Sequence, residues 1–365
     1  MRAPVLAVTI GALLLAALFM LQMAGCGGGS KQQNNVQPPP GADPMGTVNA
    51  QQLPDCSSVN GQGGEPNGVC YDVTVSCPGV ADITTAVKVN NPSGPSIGTV
   101  TFTVGGGGIP WWDQVFAYGT TAVDTVLQAG YTTVQISFPN PPIGFPPGGN
   151  FAGWLTGPGG PRKLACRWVT TLRWVHDNIQ QPNTPLCTTG NSAGAAVAGY
   201  ALAHYGQDPI IKFVQETSGP PFTRIDHGCI CNAPDQMTPC GQGLQSECFL
   251  INATRFVDPA YDPGPNSANI CTTAVKTHDT SNQALFFNDS LASSDATFSF
   301  PNVSMHFIIG GQDAGSAVPE AMEWQPLLTV KGGVQNICVA DAGHEIADVL
   351  DGAQAVANDM IASCK

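Results

Sequence analysis

The chain has 365 residues, a formal net charge of −13 and 13 cysteines, and only 11% of its residues are charged. A chain of this length accommodates one large domain with a sizeable buried core. No run of Lys or Arg supplies the basic surface that nucleic acid requires, so a nucleic-acid partner is excluded.

The first 25 residues have the pattern of an export signal. Arg2 precedes a nearly unbroken apolar stretch from Pro4 to Ala24. Met23–Cys26 resembles the bacterial lipobox, which implies cleavage before Cys26, lipidation of its thiol and attachment to the outer face of a bacterial membrane. A plain cleaved signal and an uncleaved anchor are the alternatives, because the apolar run is about long enough to span a bilayer. Residues 26–50 are rich in Gly, Gln, Asn and Pro and are predicted to form a flexible tether.

Twelve cysteines remain beside Cys26, an even number that suits complete disulfide pairing in an oxidising compartment. Their partners do not follow from spacing. Five of the twelve lie in one segment, so at least one must pair outside it if all are paired; these are Cys229, Cys231, Cys240, Cys248 and Cys271. A metal site at Cys229 and Cys231 is the competing interpretation, but the spacing does not match a zinc knuckle, and no metal is predicted.

Strand-like and helix-like periods alternate along residues 51–365, which are predicted to form one domain. The first three strands are expected to give the sheet an antiparallel start. The alternation that follows predicts a mainly parallel sheet covered by helices on both faces. The predicted strands are 71–76, 82–89, 99–104, 132–138, 185–189, 211–216, 303–309 and 333–339, and the predicted helices are 114–128, 162–180, 193–205, 319–330 and 345–363.

Two segments depart from this alternation. From Gly219 to Pro301 the periodicity is lost and Cys, Pro, Asn and Asp accumulate, which indicates a Cys-rich insertion that forms a disulfide-braced cap. The Gly- and Pro-rich tract from Pro139 to Pro161 is predicted to be a long surface loop near the functional site.

The motif G-x-S-x-G occurs twice, around Ser192 (residues 190–194) and around Ser96 (residues 94–98), and a chain with 43 glycines is expected to match it by chance often. Context separates the two matches. A predicted strand leads into Ser192 and a predicted helix leaves it, as a nucleophile elbow requires. No helix follows Ser96, which is interpreted as part of a hairpin turn.

These features resemble the α/β-hydrolase superfamily over roughly residues 70–364, the insertion excepted. The resemblance implies the order nucleophile, acid, histidine, with Ser192 as the nucleophile. His344 is the expected base, because it follows the last strand and precedes the closing helix. Asp313 follows strand 303–309 and is the expected acid. Asp341 is a weaker rival, because three residues leave little room for it to reach back to His344.

The resemblance also implies an oxyanion hole of backbone amides. Gly105–Gly108 follows the third strand and resembles the family's oxyanion loop, with Val104 where the HGGG form has His. The expected donors are the amides of Gly106, Gly107 and Ala193. Trp111 and Trp112 come next and are candidates for the substrate pocket, with buried packing as the alternative.

The sequence therefore predicts an exported α/β-hydrolase that cleaves carboxylic esters through an acyl-enzyme, with an ester substrate of undefined identity and without a cofactor or metal. Peptidase or polyester depolymerase activity is an alternative, because this fold and triad do not set the substrate. A catalytically inactive, tethered binding protein is the alternative from a different class.

Overall fold

The computed structural model describes residues 41–54, 56, 68–138, 153–250, 252–262 and 269–365. The predicted export signal, Cys26, the first part of the tether and residues 139–152 of the Gly/Pro tract lie outside the described residues. Within these ranges, no helix has both the length and the apolar character needed to cross a membrane.

The described residues form thirteen strands. They are β1 Thr47–Gln52, β2 Val69–Ser76, β3 Ile83–Asn90, β4 Thr99–Thr103, β5 Thr132–Ser137, β6 Leu186–Asn191, β7 Ile211–Thr217, β8 Gln236–Met237, β9 Leu244–Gln245, β10 Ser299–Phe300, β11 Ser304–Gly310, β12 Thr329–Val330 and β13 Gln335–Val339.

The same ranges contain ten α-helices. They are α1 Trp112–Val115, α2 Gly119–Gln128, α3 Gly160–Asn178, α4 Ala193–Ala203, α5 Ile225–Ile230, α6 Asp258–Tyr261, α7 Ile270–Thr277, α8 Gln283–Asn288, α9 Ala317–Trp324 and α10 Leu350–Ser363. Short 3₁₀ turns cover Gly153–Leu155, Gln325–Leu327 and Ile346–Asp348, and a π-helical turn covers Ala253–Val257.

Nine of the described strands form one sheet in the order β1-β2-β3-β5-β4-β6-β7-β11-β13. Strands β1 to β3 are antiparallel to their neighbours, whereas every pair from β5 to β13 is parallel. The central strands are buried along most of their length, as expected for parallel strands covered on both faces. The predicted fold class is therefore confirmed.

Two apolar cores lie on opposite sides of this sheet. Helices α3 and α4 contribute to one core, and α2 and α10 contribute to the other. Leu164, Trp168, Leu172 and Val175 recur at helical spacing on α3 and are all fully buried, so they form the apolar face of this helix. Helix α4 is rich in Ala and Gly and buried throughout, so small side chains let its backbone lie close to the sheet.

Three expectations about the elements were wrong. The sheet begins earlier than predicted, because β1, whose first four residues were placed in the tether, pairs with β2 as an edge strand. The third predicted strand, β4, is not part of the antiparallel start, since it pairs in parallel with β5 and β6, and the link that contains Ser96 is therefore not a hairpin. Helix α9 ends at Trp324, and Thr329–Val330 form a short strand beside β10.

The twelve cysteines in the described ranges form six disulfides. Two of them lie within the cap (residues 219–301), Cys229–Cys271 and Cys231–Cys248. Cys240 pairs with Cys338 on β13, so the cap is covalently joined to the sheet. The expected bridge out of the five-cysteine segment is thus confirmed, and Cys229 and Cys231 are disulfide-bonded rather than free to bind metal.

Candidate active site

Ser192 occupies a sharp turn between β6 and α4. Its backbone has φ 53° and ψ −122°, a conformation that non-glycine residues adopt only at a cost. The Ser192 amide donates a hydrogen bond to the Thr217 carbonyl at 2.8 Å, and the Ser192 carbonyl accepts one from the Ala195 amide at 2.8 Å. The strand before Ser192 and the helix after it are as predicted, so the serine has the strained backbone of a nucleophile elbow.

The two glycines of the motif are required because a side chain would not fit at either position. A Cβ atom on Gly190 would lie 2.1 Å from the Gly194 carbonyl oxygen, and one on Gly194 would lie 2.4 Å from the Val104 carbonyl oxygen. Both distances are far shorter than atoms tolerate. The motif around Ser192 is therefore imposed by close backbone approach between β4, β6 and α4.

His344 and Asp313 form the pair that the sequence predicted. His344 Nδ1 lies 2.9 Å from Asp313 Oδ2, and the side chain of Asp313 is fully buried. The second carboxylate oxygen, Oδ1, accepts a hydrogen bond from the Gly315 amide at 2.8 Å. Asp341, the rival acid, is exposed, whereas Asp313 holds the ring of His344.

The charge state of His344 reflects two opposing influences. Burial lowers its pKa, but the hydrogen bond and negative charge of Asp313, together with the charge of Glu345, outweigh burial and raise the pKa above its usual value of 6.5. The same hydrogen bond fixes a proton on Nδ1 in the neutral ring, which leaves Nε2 as the proton acceptor.

Ser192 and His344 line one cavity of about 390 Å³. Among the described residues, no hydrogen bond joins the Ser192 hydroxyl to His344; such bonds are often long in enzymes without substrate. The cavity walls are mostly apolar and include several cap residues that sequence reasoning missed. The lining side chains are Val104, Ile109, Val115, Phe116, Asn191, Ala193, Pro221, Phe222, Phe249, Asn252, Arg255, Phe256, Ala317 and Glu345.

The glycine loop after β4, which is the expected oxyanion loop, lies next to Ser192. Only some of the residues expected to be oxyanion donors line the cavity. Gly105 and Gly106 line the cavity, as does Ala193. A Cβ atom on Gly105 would lie 3.2 Å from the Ser192 Cβ. Gly107 is buried and does not line the cavity, and its carbonyl accepts a hydrogen bond from the Trp154 amide at 3.0 Å.

The prediction that Trp111 and Trp112 line the pocket is wrong. Each is only 1% exposed, and neither lines the cavity. Trp111 lies over the Lys88 ammonium group, with Nζ 5.3 Å from the ring centroid. Trp112 makes edge contacts with Phe102 and Phe116. Both rings are packing residues behind the oxyanion loop.

No cavity residue suggests a resident cofactor or metal. The described residues hold one group with the side-chain types and spacing of a metal site, His227, Glu247 and Glu323, and none of the three lines this cavity.

The sheet order and the turn at Ser192 define an α/β-hydrolase fold. No protein-family model matches the chain, and no curated protein matches it. Among solved structures, it is similar to Est1E from Butyrivibrio proteoclasticus, with 12% identity over 80% of this chain and 97% of that chain and a TM-score of 0.46. It is also similar to an esterase from Pyrobaculum calidifontis, with 16% identity over 81% and 85% of the two chains and a TM-score of 0.47. It is similar as well to dienelactone hydrolase from Anabaena variabilis, with 14% identity over 81% of this chain and 96% of that chain and a TM-score of 0.42.

Proposed function

We propose that this chain is a serine hydrolase that cleaves carboxylic esters through an acyl-enzyme. One observation carries the proposal: the strained Ser192 and the His344 ring held by Asp313 open onto the same cavity. A serine hydroxyl needs an adjacent base to act as a nucleophile, and the base needs a third group to orient it.

In the first half-reaction, the Ser192 hydroxyl oxygen attacks the ester carbonyl carbon while His344 Nε2 takes the hydroxyl proton. The negative charge that develops on the carbonyl oxygen is stabilised by backbone amides, for which Ala193 and Gly106 are the candidates; each donor contributes about 3 kcal/mol. The intermediate then collapses, and the alcohol leaves with the proton from His344.

In the second half-reaction, water attacks the acyl-enzyme and transfers a proton to His344. Collapse of the second intermediate releases the carboxylic acid and returns the proton to Ser192. Asp313 orients the ring and stabilises the imidazolium ion.

The cavity supports a preference for small ester groups. Its volume of about 390 Å³ lies at the lower end of the range for ligand pockets. Phe222, Phe249 and Phe256 of the cap supply apolar surface for an acyl or aryl group, and Arg255 and Glu345 supply one charge of each sign. We therefore expect short p-nitrophenyl esters to be cleaved faster than long ones.

We also propose that the enzyme is exported and attached to a membrane through a lipid on Cys26. The six disulfides support an oxidising compartment, because cytosolic thiols are kept reduced.

The test compares two serine variants with the same substitution. Ser192→Ala is expected to lose labelling by a fluorophosphonate probe and to lose p-nitrophenyl ester hydrolysis. Ser96→Ala should retain both, because the Ser96 hydroxyl donates to the Gly98 carbonyl at 2.7 Å within a turn and lies outside the cavity. Full activity in Ser192→Ala would contradict the proposal, and a folded wild-type protein that is inert to the probe and to every ester would favour the inactive binding protein.

A further inference from the structure

A histidine and two glutamates meet where the cap contacts the body of the domain. His227 lies on α5 and Glu247 follows β9, both in the cap, whereas Glu323 lies on α9 of the body. One ligand-type atom from each of the three lies within 4.8 Å of the others. An imidazole with two carboxylates is a donor set for a divalent metal ion.

The distances suit ligands around one ion as well as hydrogen bonds. His227 Nδ1 lies 3.0 and 3.1 Å from the two carboxylate oxygens of Glu323 and 3.3 Å from Glu247 Oε2. One ring nitrogen carries at most one proton, so it cannot satisfy three oxygens. Two ligands of a tetrahedral zinc ion, each bonded at about 2.0 Å, lie about 3.3 Å apart.

The polar atoms around this cluster are incompletely satisfied. Glu247 is only 2% exposed, and its carboxylate has the 3.3 Å contact with His227 Nδ1 but no well-formed hydrogen bond from the described part of the chain. Its carboxylate points into the cluster, toward His227. The neighbouring Glu320 is fully buried, with Oε2 accepting a hydrogen bond from the Arg224 amide at 2.6 Å and Oε1 accepting none from the described part of the chain.

The cluster also carries more negative than positive charge. Four carboxylates lie close to His227, those of Asp226, Glu247, Glu320 and Glu323. Arg224 is bound to Asp226 through two hydrogen bonds of 2.8 and 2.9 Å, which leaves His227 facing three glutamates. A divalent cation would supply the positive charge that these carboxylates lack.

We propose that His227, Glu247 and Glu323 bind a zinc ion that fastens the cap to helix α9. The zinc ion replaces the proton on His227 Nδ1, and water completes the tetrahedral set. The other ring nitrogen, Nε2, lies 4.0 Å from Asp226 Oδ2, beyond hydrogen-bond distance. The site is structural, goes beyond the proposed hydrolase activity and does not depend on it.

The experiment is a calorimetric zinc titration of the purified, disulfide-bonded protein after treatment with a chelator. We expect one zinc ion per chain. Zinc should also raise the thermal unfolding midpoint of the wild type, because it binds the folded state.

Glu323→Gln is the main variant, because the Glu323 side chain is 16% exposed and the substitution keeps its shape. It should weaken zinc binding by about 100-fold or more. Loss of a residue that only hydrogen-bonds to a metal ligand already weakens binding by up to about 100-fold, and Glu323 is proposed to be a direct ligand. Asp279→Asn, which removes a carboxylate from the same cap but outside the cluster, should bind zinc as the wild type does. His227→Gln provides the same comparison should Glu323→Gln fail to fold by circular dichroism.

Two results would overturn the proposal. They are a folded wild type that binds no zinc and a folded Glu323→Gln protein that binds zinc as tightly as the wild type. Tighter binding of calcium than of zinc would also overturn the assignment to zinc. Because the readouts are heat and unfolding, an inactive enzyme would leave the result intact.

Discussion

At the scale of single residues, the protonation of His344 controls the proposed chemistry. The ring must be neutral to take the Ser192 proton, and the pKa of His344 is raised above 6.5 chiefly because Asp313 outweighs the effect of burial. A raised pKa keeps the ring protonated to higher pH. The proposed activity should therefore be low in acid and rise with pH.

We predict that kcat/KM for a p-nitrophenyl ester rises with a midpoint above the ordinary histidine value of about 6.5. Glu345→Gln should move this midpoint down, because the Glu345 charge contributes to raising the pKa of His344. The measurement is a pH profile of kcat/KM for both proteins, with chemistry shown to be rate-limiting. A midpoint at or below the ordinary value, unchanged in the variant, would argue against His344 as the base.

The residues of the Ser192, Asp313 and His344 cluster could be predicted because each depends on local order. Each follows a strand of the parallel sheet, and the carboxyl ends of such strands meet at one edge. The positions of Trp111 and Gly107 depend on more than local order. Whether a residue beside the oxyanion loop faces the cavity or the core depends on distant packing partners, such as Lys88 and Trp154, which local sequence does not specify.

At the scale of elements, a buried ion pair fixes the segment after the oxyanion loop. Lys88 on β3 contacts Asp113 on α1, with Nζ 2.7 Å from Oδ2 and side-chain exposures of 2% and 0%. Gln135 on β5 donates to the same Oδ2 atom at 2.7 Å. Helix α1 is thereby joined to two strands, and the loop before it, which includes Gly106, is held at both ends.

We predict that Lys88→Met lowers the free energy of unfolding by about 3–5 kcal/mol, because it leaves the Asp113 carboxylate buried without its cation. Adding Asp113→Leu should restore much of this loss, since an apolar pair of similar size replaces a buried ion pair at little cost. Chemical denaturation of the two variants and the wild type measures both changes. A Lys88→Met protein within about 1 kcal/mol of the wild type would contradict the prediction.

The order of helices and strands could be read from the sequence, but the pairing of some strands could not. Periodicity places β4 correctly, yet its partners β5 and β6 are set by crossover connections that pattern does not encode. Strand β1 was missed because Thr47–Gln52 is mostly exposed and polar, as sheet edges often are. Its apolar alternation is limited to Val48 and Ala50, which pack against the core, and is too short to distinguish the strand from a tether.

At the scale of the whole molecule, the cap completes the cavity and is held to the body by long-range contacts. Phe222 and Phe249 of the cap are cavity walls, and the Cys240–Cys338 disulfide joins the cap to β13 across 98 residues. Gln245 Nε2 also donates to the Asp313 carbonyl at 2.7 Å, so the cap contacts the acid loop directly. The odd number of cysteines in one segment predicts that a bridge leaves it, but the partner depends on the folded path.

The proposed location of the protein at a membrane depends on Cys26, which precedes the described domain. If this cysteine carries lipid, the tether holds the catalytic domain away from the bilayer. A single acyl chain binds membranes weakly, whereas the several chains of a bacterial lipoprotein anchor it stably. The proposed hydrolase would then act at a surface rather than in free solution.

We predict that Cys26→Ser moves the protein from the detergent phase to the aqueous phase in a detergent partition, or blocks its processing. Intrinsic ester hydrolysis should be unchanged, because the twelve other cysteines pair among themselves without Cys26. Mass spectrometry of the wild-type N-terminus is the direct check, and an unmodified terminus at or after Cys26 would instead establish plain secretion. Loss of activity in a folded Cys26→Ser protein would indicate that the anchor also serves the site, because a tether that only positions the domain leaves its chemistry intact.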